Sequence, residues 1–203
     1  MSYNQLAIIM TKFRNLLILL MFFTFNELIS QEKIGMKETY IENNLVYKAS
    51  NDQLFTGIAQ SKRKNRHLVY EEEYKNGIIL WSNLYYNGKE IRVSNKTIYN
   101  PNKPFVLSKE IKYRSNGEIF ETITYNNEGI KILVEQFENG KLIYSCQYLG
   151  KKKHGLQLGY GENGEKMTYR CEFINGKKNG TEYCLNDDGT ETKKEYRNGK
   201  KIK

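Results

Sequence analysis

Proline, alanine, histidine and cysteine are all scarce: 203 residues contain two Pro, three Ala, two His and three Cys. So few Ala beside sixteen Tyr and nine Phe argues against a helical protein and for strands, where aromatic side chains pack well on a pleated surface. His67 and His154 both lie in basic turns with no nucleophile beside them, which argues against a His-centred catalytic group. No pair of Cys or His has the short spacing of a zinc site, and no cofactor is expected. With 27% charged residues, a net charge of +9 and only one long apolar run, the chain is not a multi-span membrane protein. Its length suits one domain or a short array.

The single apolar run is near the N-terminus. Residues 10–14 are a short basic stretch, residues 16–25 (LLILLMFFTF) are apolar, and residues 26–30 end in the small Ser30. This is the layout of a secretory signal peptide over residues 1–30, with Met10 as the expected start of translation. A bilayer takes about 20 apolar residues, so an N-terminal membrane anchor is the competing reading. Cleavage leaves 30 basic and 22 acidic residues, a net charge of +8. The expected location is therefore periplasmic or secreted, and export disfavours nucleic acid as a partner.

The main signal is a repeat. LIYSCQY at 142–148 aligns with MTYRCEF at 167–173, so Leu142, Tyr144, Cys146 and Tyr148 match Met167, Tyr169, Cys171 and Phe173 at a constant offset of 25. Apolar residues at every second position form one face only on an extended strand. Each segment runs into a Gly- and Lys-rich turn, GKKKHG at 150–155 and NGKKNG at 175–180. Gly117, Gly140, Gly164 and Gly189 form one series of turns, and Gly129, Gly150, Gly176 and Gly199 the other. That spacing is a meander of strand, turn, strand, turn, whose hairpins must stack to bury an apolar face.

Residues 31–44 read as a linker or first edge, and residues 45–203 as the repeat domain. Strands are expected at 45–47, 54–60, 68–74, 78–86, 119–125, 130–137, 142–148, 156–160, 167–173, 181–185 and 191–196. Asn76-Gly77 and Asn87-Gly88 are strong hairpin signals, because both residue types tolerate positive φ. Between Gly88 and Gly117 no Gly occurs, and Pro101 and Pro104 mark an irregular turn.

YLGKKKHG at 148–155, FINGKKNG at 173–180, YRNGKK at 196–201 and LFTGI at 54–58 resemble the MORN-repeat family, and more closely its bacterial YwqK-type variant, which carries an antitoxin label. The resemblance covers most of residues 45–203. It implies a single-layer antiparallel sheet of hairpins serving as a scaffold or docking surface, with a toxin as the partner if the label is functional.

Two surfaces are candidates for docking. The first is an apolar face carrying Leu142, Tyr144, Cys146, Tyr148, Leu156, Leu158, Tyr160, Met167, Tyr169, Cys171 and Phe173, with Tyr144, Tyr148, Tyr160, Tyr169 and Phe173 as its aromatic contacts. The competing reading is that twist lets this face pack on itself, helped by the N-terminal segment. The second is a basic rim of Lys151, Lys152, Lys153, His154, Lys177, Lys178, Lys200 and Lys201, opposite an acidic rim of Glu138, Glu162, Glu165, Asp187 and Asp188. Here the competing reading is a set of soluble turns. For the Cys, a strand between Cys146 and Cys171 puts them about 10 Å apart, beyond bridging reach. The pattern Tyr183, Leu185 turns Cys184 away from Cys171, so free thiols are expected.

The expected fold is all-β, an elongated single-layer antiparallel meander of five to six hairpins after a signal peptide. The expected function is non-enzymatic: an exported scaffold that docks an unknown protein partner or an anionic envelope component, antitoxin-like or immunity-like by resemblance. A purely structural envelope component and an uncharacterised enzyme are the alternatives.

Overall fold

A computed structural model describes residues 31–161 and 163–203; the expected signal peptide, Met10 and Glu162 lie outside the described residues. The strands are β1 (Lys33–Gly35), β2 (Thr39–Glu42), β3 (Leu45–Lys48), β4 (Gln53–Leu54), β5 (Gly57–Lys62), β6 (Leu68–Lys75), β7 (Ile78–Tyr85), β8 (Val93–Tyr99), β9 (Leu107–Tyr113), β10 (Ile119–Tyr125), β11 (Lys131–Glu138), β12 (Lys141–Leu149), β13 (Lys152–Tyr160), β14 (Met167–Ile174), β15 (Lys177–Leu185), β16 (Glu191–Arg197) and β17 (Lys200–Lys201). A 3-10 turn at Met36–Glu38 follows β1. Among the described residues no helix is long and apolar enough to cross a membrane.

One sheet takes fourteen strands in the order β1-β5-β6-β7-β8-β9-β10-β11-β12-β13-β14-β15-β16-β17. From β5 onward every neighbour is antiparallel and consecutive in sequence, while β1 joins the edge in parallel with β5. The other three strands form a small sheet, β2-β3-β4. It brings Val46 and Phe55 onto Ala59, Tyr74 and Ile79, which together make the buried core. Gly77 joins the two sheets: its carbonyl accepts from the Val46 amide at 2.9 Å and its N–H donates to the Phe55 carbonyl at 2.8 Å.

The expected strand at 54–60 is two pieces. Phe55 leaves the ladder to enter the core, and Gly57 resumes it as β5. The stretch from 88 to 117, where the glycine rhythm lapses, nonetheless contributes β8 and β9 in unbroken order. Its turn uses other chemistry. The Asn100 side chain accepts from the Asn102 amide at 2.9 Å, and Phe105 takes the positive φ of 64° that Gly supplies elsewhere. Asn76-Gly77 makes a tight turn with φ of 50° and 75°, whereas Asn87-Gly88 opens a loop between β7 and β8.

The two-residue turns decide which side chains share a face. Leu149 pairs with Lys152 across Gly150-Lys151, and Ile174 pairs with Lys177 across Asn175-Gly176. The strand after each turn therefore begins at its first lysine, and that register is followed inward. Tyr144 lies opposite Gly159, which lies opposite Tyr169, so the two tyrosines share a face as their offset of 25 implies. Three expectations are corrected by the same register. Gln157 stands between Cys146 and Cys171 on that face, which sends Leu156 and Leu158 to the other side. Tyr160, next after Gly159, also leaves the aromatic set and pairs with Met167. Cys184 lies directly opposite Tyr169, so it faces the same way as Cys171 rather than away from it. All three Cys are free thiols.

Candidate functional site

Tyr144, Cys146 and Tyr148 alternate along β12, and Tyr169, Cys171 and Phe173 along β14. In both strands the middle thiol is 0% exposed and the rings beside it are buried or half-buried. A small side chain between two rings lets the rings close over it, so this face packs largely on itself. The same device carries an acid in β6, where Tyr70 and Tyr74 both donate to Glu72. Burial raises the Tyr169 and Tyr144 phenols well above their ordinary range and raises the Cys171 thiol, so these groups stay neutral.

A second row crosses the same face nearer the turns. Register places Tyr125 opposite Lys131, Tyr148 opposite Lys153, Phe173 opposite Lys178 and Tyr196 opposite Lys201. The first three of these lysines also reach over the ring of the next hairpin. Lys131 Nζ lies 3.9 Å from the Tyr148 ring centre, Lys153 Nζ 5.1 Å from Phe173, and Lys178 Nζ 5.0 Å from Tyr196. The backbone of these lysines repeats as well. The carbonyls of Lys131, Lys153 and Lys178 accept from the turn amides of Gly150, Gly176 and Gly199 at 3.0, 2.8 and 2.8 Å. Lys131 is not in the expected rim, although it comes soon after Gly129, as Lys153 does after Gly150 and Lys178 after Gly176, and that position is the available signal.

The expected basic rim thus divides in two. Lys153 and Lys178 sit over aromatic rings on the sheet face: Lys153 donates to the Gln157 side chain at 2.6 Å, and Lys178 pairs with Glu182. Lys151, Lys152, Lys177 and Lys200 are exposed at the edge itself, and no ion pair neutralises them among the described residues. Lys201, the second residue of β17, lies opposite Tyr196 on the same row and is exposed. His154 is in β13, not in a turn, and its Nδ1 accepts from the Asn175 amide at 3.5 Å. Leu149 and Ile174 are 54% and 42% exposed beside the edge lysines.

The acidic residues occupy the opposite edge, where Glu138, Glu165, Asp187 and Asp188 lie at the turns after β11, β13 and β15. Lys141 approaches Glu165 at 3.8 Å, and Asp188 binds the Thr190 amide and hydroxyl within its own turn. At the N-terminal end that edge is basic, with Arg63, Lys64 and Arg66 in the turn after β5. The charge polarity therefore belongs to β11–β17 alone.

Behind the aromatic face, Leu156, Met167, Arg170, Glu172, Tyr183 and Lys193 line a depression of about 490 Å³. Of the residues that the register moves off the aromatic side, Leu156 lines it. No group of three or more metal-ligating side chains occurs among the described residues. No protein-family model matches the chain, and no curated protein is significantly similar to it.

Proposed function

We propose that this chain is an exported, non-enzymatic repeat protein that docks onto an anionic component of the cell envelope through the lysine-lined edge of its sheet. One observation carries the reading. The repeat delivers equivalent exposed lysines, Lys152, Lys177 and Lys200, to one edge, each the first residue of its strand and each without an acidic partner among the described residues. Lysines placed only for solubility have no need of a shared backbone position. The aromatic row plays a different part: Tyr144, Tyr148, Tyr169 and Phe173 hold the hairpins together and seat the inner lysines, while Tyr160 lies across the sheet from them.

Co-sedimentation of the full chain with an envelope fraction tests this. Charge reversal at Lys151, Lys152, Lys177 and Lys200 should abolish retention, and rising salt should release the wild-type protein, because exposed charges are screened beyond about 8 Å at physiological ionic strength. Retention indifferent to both would remove the electrostatic docking reading.

A further inference from the structure

The exposed cations of this edge are arranged as a line. Lys152, Lys177 and Lys200 recur every second strand, about 10 Å apart along the edge. Neighbouring turns guide two of them, since the stems of Lys152 and Lys177 lie against Gly176 and Gly199 of the next hairpin. On the other side of the sheet Lys153, Lys178 and Lys201 repeat with the same pitch. A partner complementary to this arrangement carries its own charge along a flexible line.

Two features narrow its chemistry. Every repeated cationic position is Lys, a compact point charge that meets a tetrahedral phosphate from any direction, whereas Arg's planar fork holds carboxylate or phosphate in one fixed bidentate geometry. The rings of the row, Tyr148, Phe173 and Tyr196, already carry lysine ammonium groups over them. They leave no free platform for stacking nucleobases, which single-stranded nucleic acid binding requires.

We infer that the edge from β12 to β17 binds a linear phosphate polymer without bases, lying across the strands. This rests on the docking reading above and names its ligand class. The probe is long-chain inorganic polyphosphate, titrated into the full chain at several salt concentrations. Three proteins are compared: wild type, the edge variant (Lys151→Glu, Lys152→Glu, Lys177→Glu, Lys200→Glu), and a control of equal charge change on the opposite edge (Arg63→Glu, Lys64→Glu, Arg66→Glu, Lys89→Glu). All eight positions are exposed, so folding should survive, and circular dichroism verifies it.

The edge variant should bind polyphosphate roughly a hundredfold more weakly, and each lost lysine should reduce the salt slope by about 0.7. The control should stay within about threefold of wild type. Equal losses in both variants would overturn the inference, because net charge alone would then explain binding. It would also be overturned by tighter binding to a thymidine oligonucleotide of matched charge, or by binding to phosphatidylglycerol vesicles with none to polyphosphate. If the edge variant loses the envelope fraction while polyphosphate never binds, the ligand class is wrong and docking stands. If the edge variant keeps the envelope fraction, docking itself falls.

Discussion

Glu182 is a buried acid on the aromatic face, bound by Lys178 Nζ and by the Tyr169 hydroxyl at 3.0 Å. Burial raises its carboxyl, but the hydrogen bonds from Lys178 and Tyr169 outweigh that and hold it below the usual carboxylate range. Glu71 follows the same logic through Tyr85, Gln60 and Asn83, and Glu121 through Lys112 and Gln136; burial with the Glu71 contact pushes the Tyr85 phenol up to about 12. A carboxyl whose folded pKa is lowered contributes stability that is complete above its unfolded value of about 4.3 and is lost as pH falls through the folded value. The thermal midpoint should therefore be flat from about pH 7 to 5 and drop below about pH 4. Glu182→Gln should cost about 2 kcal/mol at neutral pH and flatten the acid limb, because it removes the titrating member of the pair. Chemical denaturation at pH 7 and pH 3 measures both, and an equal loss at the two pH values would show that Glu182 acts by packing alone.

At the scale of the element, the hairpin turn carries the repeat. Gly176 has φ of 84° and donates to the Lys153 carbonyl, while Gly88 has no positive φ and an added Cβ there would meet only the Glu90 carbonyl oxygen, at an ordinary 3.8 Å. Gly176→Ala should cost about 1–2 kcal/mol, and Gly88→Ala should be neutral or slightly stabilising through the unfolded chain. Paired urea titrations decide this, and matching losses would mean that left-handed backbone is not what Gly176 supplies. These turns also explain what could be read from the sequence. The tyrosines at 144 and 169 and the strand at 119–125 were legible, because alternation and glycine spacing agreed there. β8 and β9 were not, since Asn100 and Phe105 build a turn without the glycine signal. Cys184, Leu156 and Leu158 were assigned to the wrong faces because a two-residue turn, not the apolar pattern, sets the parity of the following strand. Lys153 and Lys178 look like turn residues for the same reason: only the register shows them as the second residues of strands, lying on rings.

At the scale of the whole described sheet, each hairpin touches only its neighbours, so stability should be approximately a sum of local terms and not one all-or-none quantity. The two ends differ. At β5–β7 the small sheet adds a core of Val46, Phe55, Ala59, Tyr74 and Ile79, whereas β16 is held on its outer side by the two residues of β17 and by Glu195 bonding to Ile202 and Lys203. Amide exchange should be slowest in β6 and β7 and fastest in β16. Gly77 tests the coupling directly. An added Cβ there would meet Leu54 Cδ2 at 2.7 Å and the Val46 carbonyl oxygen at 3.0 Å, and its φ of 75° is already unfavourable for a side chain. Gly77→Ala should therefore cost more than Gly176→Ala and loosen the contact between the two sheets. In a nearest-neighbour array the lost protection should be concentrated in β3 and β5–β7 and fade before β12, leaving the lysine edge from β12 to β17 folded and able to bind. A uniform loss of protection from β5 to β16 would instead mark the sheet as one cooperative unit, in which no part of that edge could keep its geometry once the N-terminal core is weakened.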